Sequence, residues 1–273
     1  MQPSRAELAR TLVSSTNPAT VVAGDLPAVA GVRHGADDDG RVLLLCHRGD
    51  PLATRPHDVC VQIADEPPLP FSPAWGKVRV SGRATPLGGN AARAAADSIA
   101  VTLPDPDLLD VGHDTVIVEV VPSRVTLLPR RAEPDEAHQP SAPSASDGPD
   151  GPVVDGSWIG RHDELAIDLA DYRSADPDPV APMERPFLVD LVDHHGPQLY
   201  PFLRRQLVAS GVDLPADCLP CPLRLDRYGL LVSVPDGDET ACYRLCFTPP
   251  LDGQQDLLDR LHSVLFHHRC DHR

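Results

Sequence analysis

Short runs of aliphatic and β-branched residues follow one another closely through the first half of the chain. They occupy residues 19–23, 28–32, 42–46, 59–63, 78–84 and 115–128. Turn-forming sequences such as Asp37-Asp38-Asp39-Gly40 and Pro67-Pro68 separate the runs. This alternation of strand-like runs and turn-forming sequences is typical of antiparallel strands joined by hairpins or longer connections. Helices are predicted at residues 5–14, which follow a capping box from Ser4 to Glu7, and at the alanine-rich residues 91–100. The pattern predicts a partly open β-barrel.

The second half of the chain mixes helical and strand patterns. Helices are predicted at residues 163–169, 187–194, 197–211 and 254–267. Pro197 suits the first turn of the third of these helices. Two strands are predicted at residues 223–234 and 242–247, joined across the turn at 235–238. The predicted fold class is therefore a mainly β, partly open N-terminal barrel plus an α+β C-terminal domain.

A segment rich in Pro, Ser, Asp, Gly and Ala lies between the two halves, at residues 130–157. Such a composition buries too little apolar surface to offset the entropy of ordering the chain. We therefore expect a barrel domain at residues 1–129, a flexible linker at 130–157 and an α+β domain at 158–273. The two domains are expected to behave independently across this linker.

Charge and composition narrow the classes of partner. The chain has 24 basic and 40 acidic residues, a formal charge of −16, and Lys77 is its one lysine. Such a surface disfavours nucleic acids and anionic membranes as partners. No stretch approaches the roughly 20 apolar residues of a membrane span, and no apolar export segment opens the sequence. We therefore expect a cytoplasmic protein whose seven cysteines are mostly reduced.

Two resemblances extend this interpretation. The first half resembles the flavin-binding split-barrel superfamily of pyridoxamine phosphate oxidase-like proteins, through its N-terminal helix, the turn Asp39-Gly40 before Val42 and the strand around Arg79-Val80-Ser81-Gly82-Arg83. The second half resembles the C-terminal domain of unknown function in HugZ-type haem oxygenases and in plastid proteins that bind glutamyl-tRNA reductase. That similarity rests on Asp193-His194-His195, on Asp226-Arg227-Tyr228-Gly229 and on Phe247-Thr248-Pro249-Pro250.

The resemblances imply a homodimer that binds a tetrapyrrole, most simply haem, as a carrier, sensor or degrading enzyme. A histidine from the C-terminal segment would approach the iron, with His262, His267 and His268 as candidates, because a neutral imidazole donates a lone pair to iron. The alternative for this segment is a solvated tail. The propionates would lie near Arg79 or Arg83. If the tail is not involved, His34, His47 or His57 on the barrel become the candidate ligands.

Two further functions stay open at this point. A flavin-dependent oxidoreductase would hold the phosphate of FMN, for which Arg48, Thr54 and Arg55 are the available side chains, although Asp50 lies among them. A cofactor-free interaction protein would keep the scaffold for regulation. No residue can be named as a general base, and neither a Gly-rich phosphate loop nor a serine nucleophile motif is present.

Other clusters of chemically active side chains allow both structural and functional interpretations. Cys218 and Cys221 have metal-ligand spacing, but Cys242 and Cys246 lie about 13 Å apart on one strand, so buried free thiols are the simpler interpretation. His194 and His195 are expected to cap a helix end. Arg224, Asp226 and Arg227 are expected to form a surface ion-pair set or to bind a ligand. No metal ligands are assigned.

Overall fold

The protein is described here by a computed structural model. It describes residues 2–24, 26–129, 164–215, 217–236 and 239–266, and of residues 236, 239 and 261–266 it describes the backbone alone. The predicted linker, residues 130–157, therefore lies outside the described residues. None of the described helices is both long enough and apolar enough to span a bilayer.

The first part of the chain forms one antiparallel sheet that curls into a barrel. Its strands, in chain order, are β1 (Ala19–Val22), β2 (Val29–Val32), β3 (His34–Ala36), β4 (Val42–His47), β5 (His57–Ala64), β6 (Lys77–Pro86) and β7 (Thr115–Leu128). The spatial order is β2-β1-β5-β6-β7-β4-β3, and a further strand pairs with β7. Helix α1 (Arg5–Val13) packs against the barrel interior, and helix α2 (Gly89–Thr102) covers the outer surface of β4 and β7.

Alternating apolar residues explain why these strands close around α1. In β5 and β6 the side chains of Val59, Val61, Ile63, Val78 and Val80 point into one core, with Leu8 and Leu12 of α1. The intervening side chains point outward, as the two-residue period of a strand requires. The capping box at the start of α1 is formed as predicted, with the Ser4 hydroxyl accepting from the backbone N–H of Glu7 and the Glu7 carboxylate accepting from that of Ser4.

The second part of the chain first completes the barrel and then forms its own layer. Strand β8 (Leu165–Ile167) pairs with β7, and helix α3 (Leu169–Ser174) packs on α1 and β7. The long helix α4 (Ala181–Ala209) then packs on a three-stranded antiparallel sheet, and helix α5 (Gln254–Phe266) packs against α4. The strands of that sheet are β9 (Cys221–Asp226), β10 (Gly229–Asp236) and β11 (Glu239–Cys246), in the order β11-β10-β9.

The expected fold class is confirmed, but three local predictions in the second half are wrong. Residues 165–167 form a strand because the sheet edge at β7 offers hydrogen bonds that a short isolated helix lacks. The two helices predicted around Pro197 are one helix, α4, because its apolar stripe, including Leu199 and Leu203, stays buried on both sides of that proline. The single strand predicted at 223–234 is a hairpin, since Asp226 accepts hydrogen bonds from the backbone N–H groups of Tyr228 and Gly229 and turns the chain.

Candidate functional site

The outward surface of β6 and its neighbours concentrates positive charge. Strand β6 directs Lys77, Arg79 and Arg83 outward, because Val78, Val80 and Ala84 between them fill the core. Across the ladder, Arg124 of β7 is paired with Ser81, which lies midway between Arg79 and Arg83. We call Lys77, Arg79, Arg83 and Arg124 the basic face.

Counter-ions neutralise only part of the basic face. Arg83 is paired with Asp58 at 3.0 Å, and Arg79 lies 3.9 Å from a Glu164 carboxylate oxygen. Neither Lys77 nor Arg124 has an ion-pair partner among the residues that the structure describes, and the buried Nε–H of Arg79 has no acceptor there. The chain as a whole has a formal charge of −16, so this partly neutralised cationic surface is opposite in charge to the protein as a whole.

A β-bulge places Arg124 on this face. Arg83 is paired with Val121 and Gly82 with Pro122, but Ser81 is paired with Arg124, so Ser123 is an extra residue in β7. In an unbulged register Arg124 would lie opposite Val80, whose side chain points into the barrel core. Because a one-residue shift moves a side chain to the other face of a sheet, the bulge turns Arg124 outward. The hydroxyl of Ser123 donates to the carbonyl oxygen of Ser81 at 3.1 Å and supports this geometry.

Uncharged side chains form the floor between the cations. Cys60 is paired with Ser81, and Gln62 is paired with Arg79, on the neighbouring strand β5. Beyond them, Val22 of β1 is paired with Cys60, and at the other side Val121 of β7 is 41% exposed. The surface is thus a broad, partly apolar platform with cations standing on it, which is suited to a flat ligand that carries anionic groups at one edge.

The structure brings together two of the five predicted cofactor-binding residues. Arg79 and Arg83 lie on the basic face, as described above. His262 belongs to α5, its side chain lies outside the described residues, and so do His267 and His268 entirely. Of the alternative histidines, His34 is 2% exposed and is enclosed by the barrel, whereas His47 is exposed at the end of β4. His57 is half-buried, with its Nε2 3.2 Å from the carbonyl oxygen of Pro51.

The side chains expected to hold a flavin phosphate are partly engaged within their own loop. The guanidinium of Arg48 donates to the carbonyl oxygens of Gly112, at 2.6 Å, and His113. The hydroxyl of Thr54 donates to the carbonyl oxygen of Pro51 at 2.7 Å, and Asp50 accepts from the backbone N–H of His47 at 2.8 Å. These contacts stabilise the turn and leave Arg55 as the remaining predicted phosphate ligand.

Three of the four cysteines that were considered as alternative metal ligands are spread over the C-terminal sheet. Cys221 and Cys242 are both paired with Ser233, so the central strand β10 separates them. Cys246 lies at the other end of β11, opposite Gly229. Within the described ranges, no group of three or more His, Cys, Asp or Glu side chains is placed to hold a metal ion.

The two adjacent histidines of α4 both contact one carboxylate of the same helix. Nδ1 of His194 lies 3.2 Å from Asp190, and Nε2 of His195 lies 3.5 Å from the same carboxylate. All three residues lie well inside α4, so the expectation that the histidines cap a helix end is wrong. The cause is again the continuation of α4 through Pro197.

A cavity of about 740 Å³ lies where α1, the β5–β6 loop, the start of α4 and the β9–β10 hairpin meet. Its wall includes Arg224, which is 2% exposed and pairs with Asp65 at 2.6 Å and with Glu184 at 2.7 Å. The guanidinium of Arg224 also stacks on Trp75, 4.7 Å from the ring centroid. Asp226 is buried too and pairs with Arg244 at 2.7 Å. The expectation of surface ion pairs is therefore wrong for Arg224 and Asp226.

The charge of this cavity separates it from the basic face. Six carboxylates line it, against the guanidinium groups of Arg185, Arg224 and Arg227. One of them, Asp178, accepts from the backbone N–H groups of Val180 and Arg227, and burial raises its pKa to about 6. An excess of carboxylates repels an anionic ligand. Of the two sites, the basic face is the better one for a ligand with carboxylates or phosphates.

Comparison with solved structures supports this fold over the whole chain. The chain is similar to a heme binding protein from Mycobacterium smegmatis, at 20% sequence identity and a TM-score of 0.61, over 98% of this chain and 96% of that one. The architecture is a split barrel with an α+β addition. Campylobacter jejuni ChuZ is similar over 48% of this chain and 58% of its own, at 10% identity and a TM-score of 0.37. The FAD binding protein from Mycobacterium smegmatis is similar over 45% and 93%, at 19% identity and a TM-score of 0.33. No family model and no curated protein matches the sequence.

The basic face contains two cations that the sequence analysis did not single out as ligands, Lys77 and Arg124. Arg124 was missed because a regular strand from 115 to 128 would direct it inward with Val120 and Pro122. A signal was nevertheless present, because Pro122 cannot donate to a ladder and proline inside a strand marks an edge or a bulge.

Proposed function

We propose that this protein binds an anionic tetrapyrrole, haem, on the basic face of its barrel. The observation that carries the proposal is the group of cations that stands on a partly apolar platform in a strongly acidic chain. The whole-chain similarity to a heme binding protein supports it. The homodimer and the cytoplasmic location expected from the sequence belong to the same proposal.

The described residues fit the propionates of such a ligand. Lys77 and Arg124 have no counter-ion among the described residues, and the Arg79 guanidinium lies 3.9 Å from its described counter-ion, Glu164. Carboxylates would accept charge-assisted hydrogen bonds from these groups, which are among the stronger ones in proteins. The ring would lie against Val22, Cys60 and Val121. When bound, the porphyrin and its iron would supply any redox chemistry, and the chain would orient the ring and limit access of water to it.

The iron ligand is proposed to come from the C-terminal segment. The candidates from the sequence are His267 and His268, which lie outside the described residues, and then His262, whose side chain lies outside them too. Turnover experiments with the bound ligand distinguish a protein that degrades the tetrapyrrole from one that only carries it.

FMN is the alternative ligand, with a single phosphate in place of two carboxylates. The engagement of Arg48 and Thr54 within their own loop argues against it. A visible spectrum separates the two ligands, because bound haem gives a Soret band and bound flavin has its own absorption maxima. A protein that stays colourless after both additions would favour the cofactor-free interaction protein.

The proposal is tested by titrating the protein with hemin and, in parallel, with FMN. We expect hemin binding to weaken at least tenfold in the double variant Arg79→Gln/Arg83→Gln, because two charge-assisted contacts are lost. Arg93→Gln is the matched control, since Arg93 is an exposed arginine on α2 and does not belong to the basic face. In the same titration, His267→Ala or His268→Ala should shift the Soret band more than His262→Ala.

Alkylation of cysteines locates the ligand independently of affinity. Bound porphyrin should protect the half-buried Cys60 from iodoacetamide and leave the exposed Cys246 reactive. Binding that leaves Cys60 as reactive as before, with equal affinity in the arginine variants, would place the ligand elsewhere on the molecule.

A further inference from the structure

We infer that the basic face is built for a ligand with two carboxylates, and that Arg124 is the cation that both carboxylates share. The inference rests on the proposed function and refines it, because it specifies the ligand class and adds a binding residue. Arg124 would form one carboxylate subsite with Arg79 and a second with Arg83.

The register of β6 and β7 supports this arrangement. Arg79 and Arg83 lie four residues apart on β6, which separates their Cα atoms by about 13 Å. Their side chains stand roughly perpendicular to the sheet and contact different counter-ions, Glu164 and Asp58, so the two guanidinium groups do not converge on one carboxylate. Arg124 is paired with Ser81, midway between them, and its diagonal neighbours on β6 are about 7–8 Å away. Arg124 is thus the described side chain that can complete a two-arginine subsite at either end.

The bulge provides the second observation. It consists of the extra residue Ser123, and its effect is to move Arg124 from the core side of β7 to the basic face. Bulges occur frequently next to binding and active sites, where they redirect a side chain. Three arginines on one face repel one another, and the described counter-ions, Asp58 and Glu164, contact Arg83 and Arg79 but not Arg124. Arg124 thus lies beside two like charges and has no counter-ion of its own among the described residues. This arrangement indicates an anionic ligand.

The number of anionic groups distinguishes tetrapyrroles from flavins at this site. The two propionates of a haem leave the same edge of the ring, so each can occupy one subsite while the ring lies on the platform. A single phosphate would fill one subsite and leave the other arginine without a ligand. The arrangement therefore selects a dicarboxylate porphyrin over a mononucleotide.

The test uses the full-length protein and metal-free protoporphyrin IX, which removes the iron and its axial ligand from the measurement. Binding is followed by porphyrin fluorescence for wild type, Arg124→Gln, Arg79→Gln, Arg83→Gln and the control Arg93→Gln. We expect Arg124→Gln to weaken binding roughly tenfold or more and to exceed either flanking variant, because it removes a donor from both subsites. Arg124→Lys should keep part of the affinity, since it retains charge without the paired donors.

The dimethyl ester of protoporphyrin IX is the matched ligand control. It keeps the ring and lacks the carboxylates, so its affinity should be equal in all five variants and wild type. Circular dichroism and thermal unfolding establish that each variant is folded, which an exposed strand position favours. Binding of protoporphyrin IX that is unchanged in Arg124→Gln but weakened in Arg79→Gln would overturn the role of Arg124 alone. Absence of porphyrin binding by wild type would overturn the proposed function, and this inference with it.

Discussion

At the scale of single residues, burial decides which ionisable groups are available for chemistry. His34 is 2% exposed in the barrel, and burial lowers its pKa to about 4. Burial likewise raises the pKa of the Cys46 thiol to about 12, which makes it a poor nucleophile. His34 is thereby withdrawn from the candidate iron ligands on the barrel, because a ligand on the outer surface cannot reach it.

The lowered pKa of His34 makes the stability of the fold depend on pH. Because the folded state favours the neutral imidazole, its contribution is fully present above about pH 6.5 and is lost as the pH falls toward 4. The full shift corresponds to about 3 kcal/mol. We expect the free energy of unfolding in urea to fall more steeply over this range in wild type than in His34→Leu.

The exposed His47 supplies the control for this measurement. His47→Gln removes an imidazole from the surface instead of from the barrel interior, so it shows whether the loss of any histidine changes the profile. The buried carboxylate of Asp178 has a raised pKa of about 6 and opposes the effect of His34, but it is present in all three proteins and cancels in the differences. Parallel profiles for wild type and His34→Leu would contradict the prediction.

At the scale of elements, sequence analysis predicted strand bounds that follow from hydrophobic periodicity. It missed a bulge and a hairpin, which depend on local contacts. The strand at 115–128 was predicted with its observed ends, because its apolar residues and turn boundaries are local signals. Its bulge was missed, since the side chain that it turns outward depends on pairing with β6. The hairpin at Arg227-Tyr228 was missed for a similar reason, because the Asp226 carboxylate and not a proline or an Asn-Gly pair makes the turn. Arg124, one of the two cations of the basic face that sequence analysis did not single out, lies at the bulge.

The bulge requires glycine at position 82, which leads to a prediction at this scale. A Cβ atom on Gly82 would lie 2.1 Å from the carbonyl oxygen of Val121, so the two strands must separate locally in Gly82→Ala. We expect a loss of about 1–3 kcal/mol in the free energy of unfolding, as in other overpacked sites. Binding of protoporphyrin IX should also weaken, because the outward direction of Arg124 depends on this register. Gly49→Ala is the control, since nothing lies within 4 Å of its Cβ position. Equal stability of the two variants would contradict the prediction, because the contact between the new Cβ atom and the Val121 carbonyl oxygen would then cost nothing.

At the scale of the whole molecule, the two parts of the chain share a core and a buried ion cluster. Leu69 of the β5–β6 loop is buried among Leu188, Leu203 and other residues of the C-terminal layer. Arg10 of α1 donates to the carbonyl oxygen of Ala175 at 3.1 Å, and the Tyr172 hydroxyl donates to that of Gly40 at 2.8 Å. These contacts favour cooperative unfolding of the two parts over the independence that the sequence predicted, and the alkylation experiment below distinguishes the two. That expectation came from the composition of the linker, which contains no information about contacts elsewhere in the chain.

Arg224 connects the two parts most strongly, since it pairs with Asp65 of the barrel and with Glu184 of α4 at 2% exposure. Removing it leaves two buried carboxylates without a cation, so we expect Arg224→Ala to lose about 3–5 kcal/mol in the free energy of unfolding. Because the cluster belongs to both parts, both should unfold in one transition and at lower urea concentration.

Pulse alkylation measures this directly, since Cys46 is buried in the barrel and Cys218 is buried in the C-terminal layer. The two thiols should become reactive together in wild type and in the variant. Arg83→Ala, which breaks the exposed pair with Asp58, should cost less than about 1 kcal/mol and serves as the control. If Cys218 became reactive well before Cys46 in wild type, the two parts would be separate folding units, and the ion cluster would be only a contact between them.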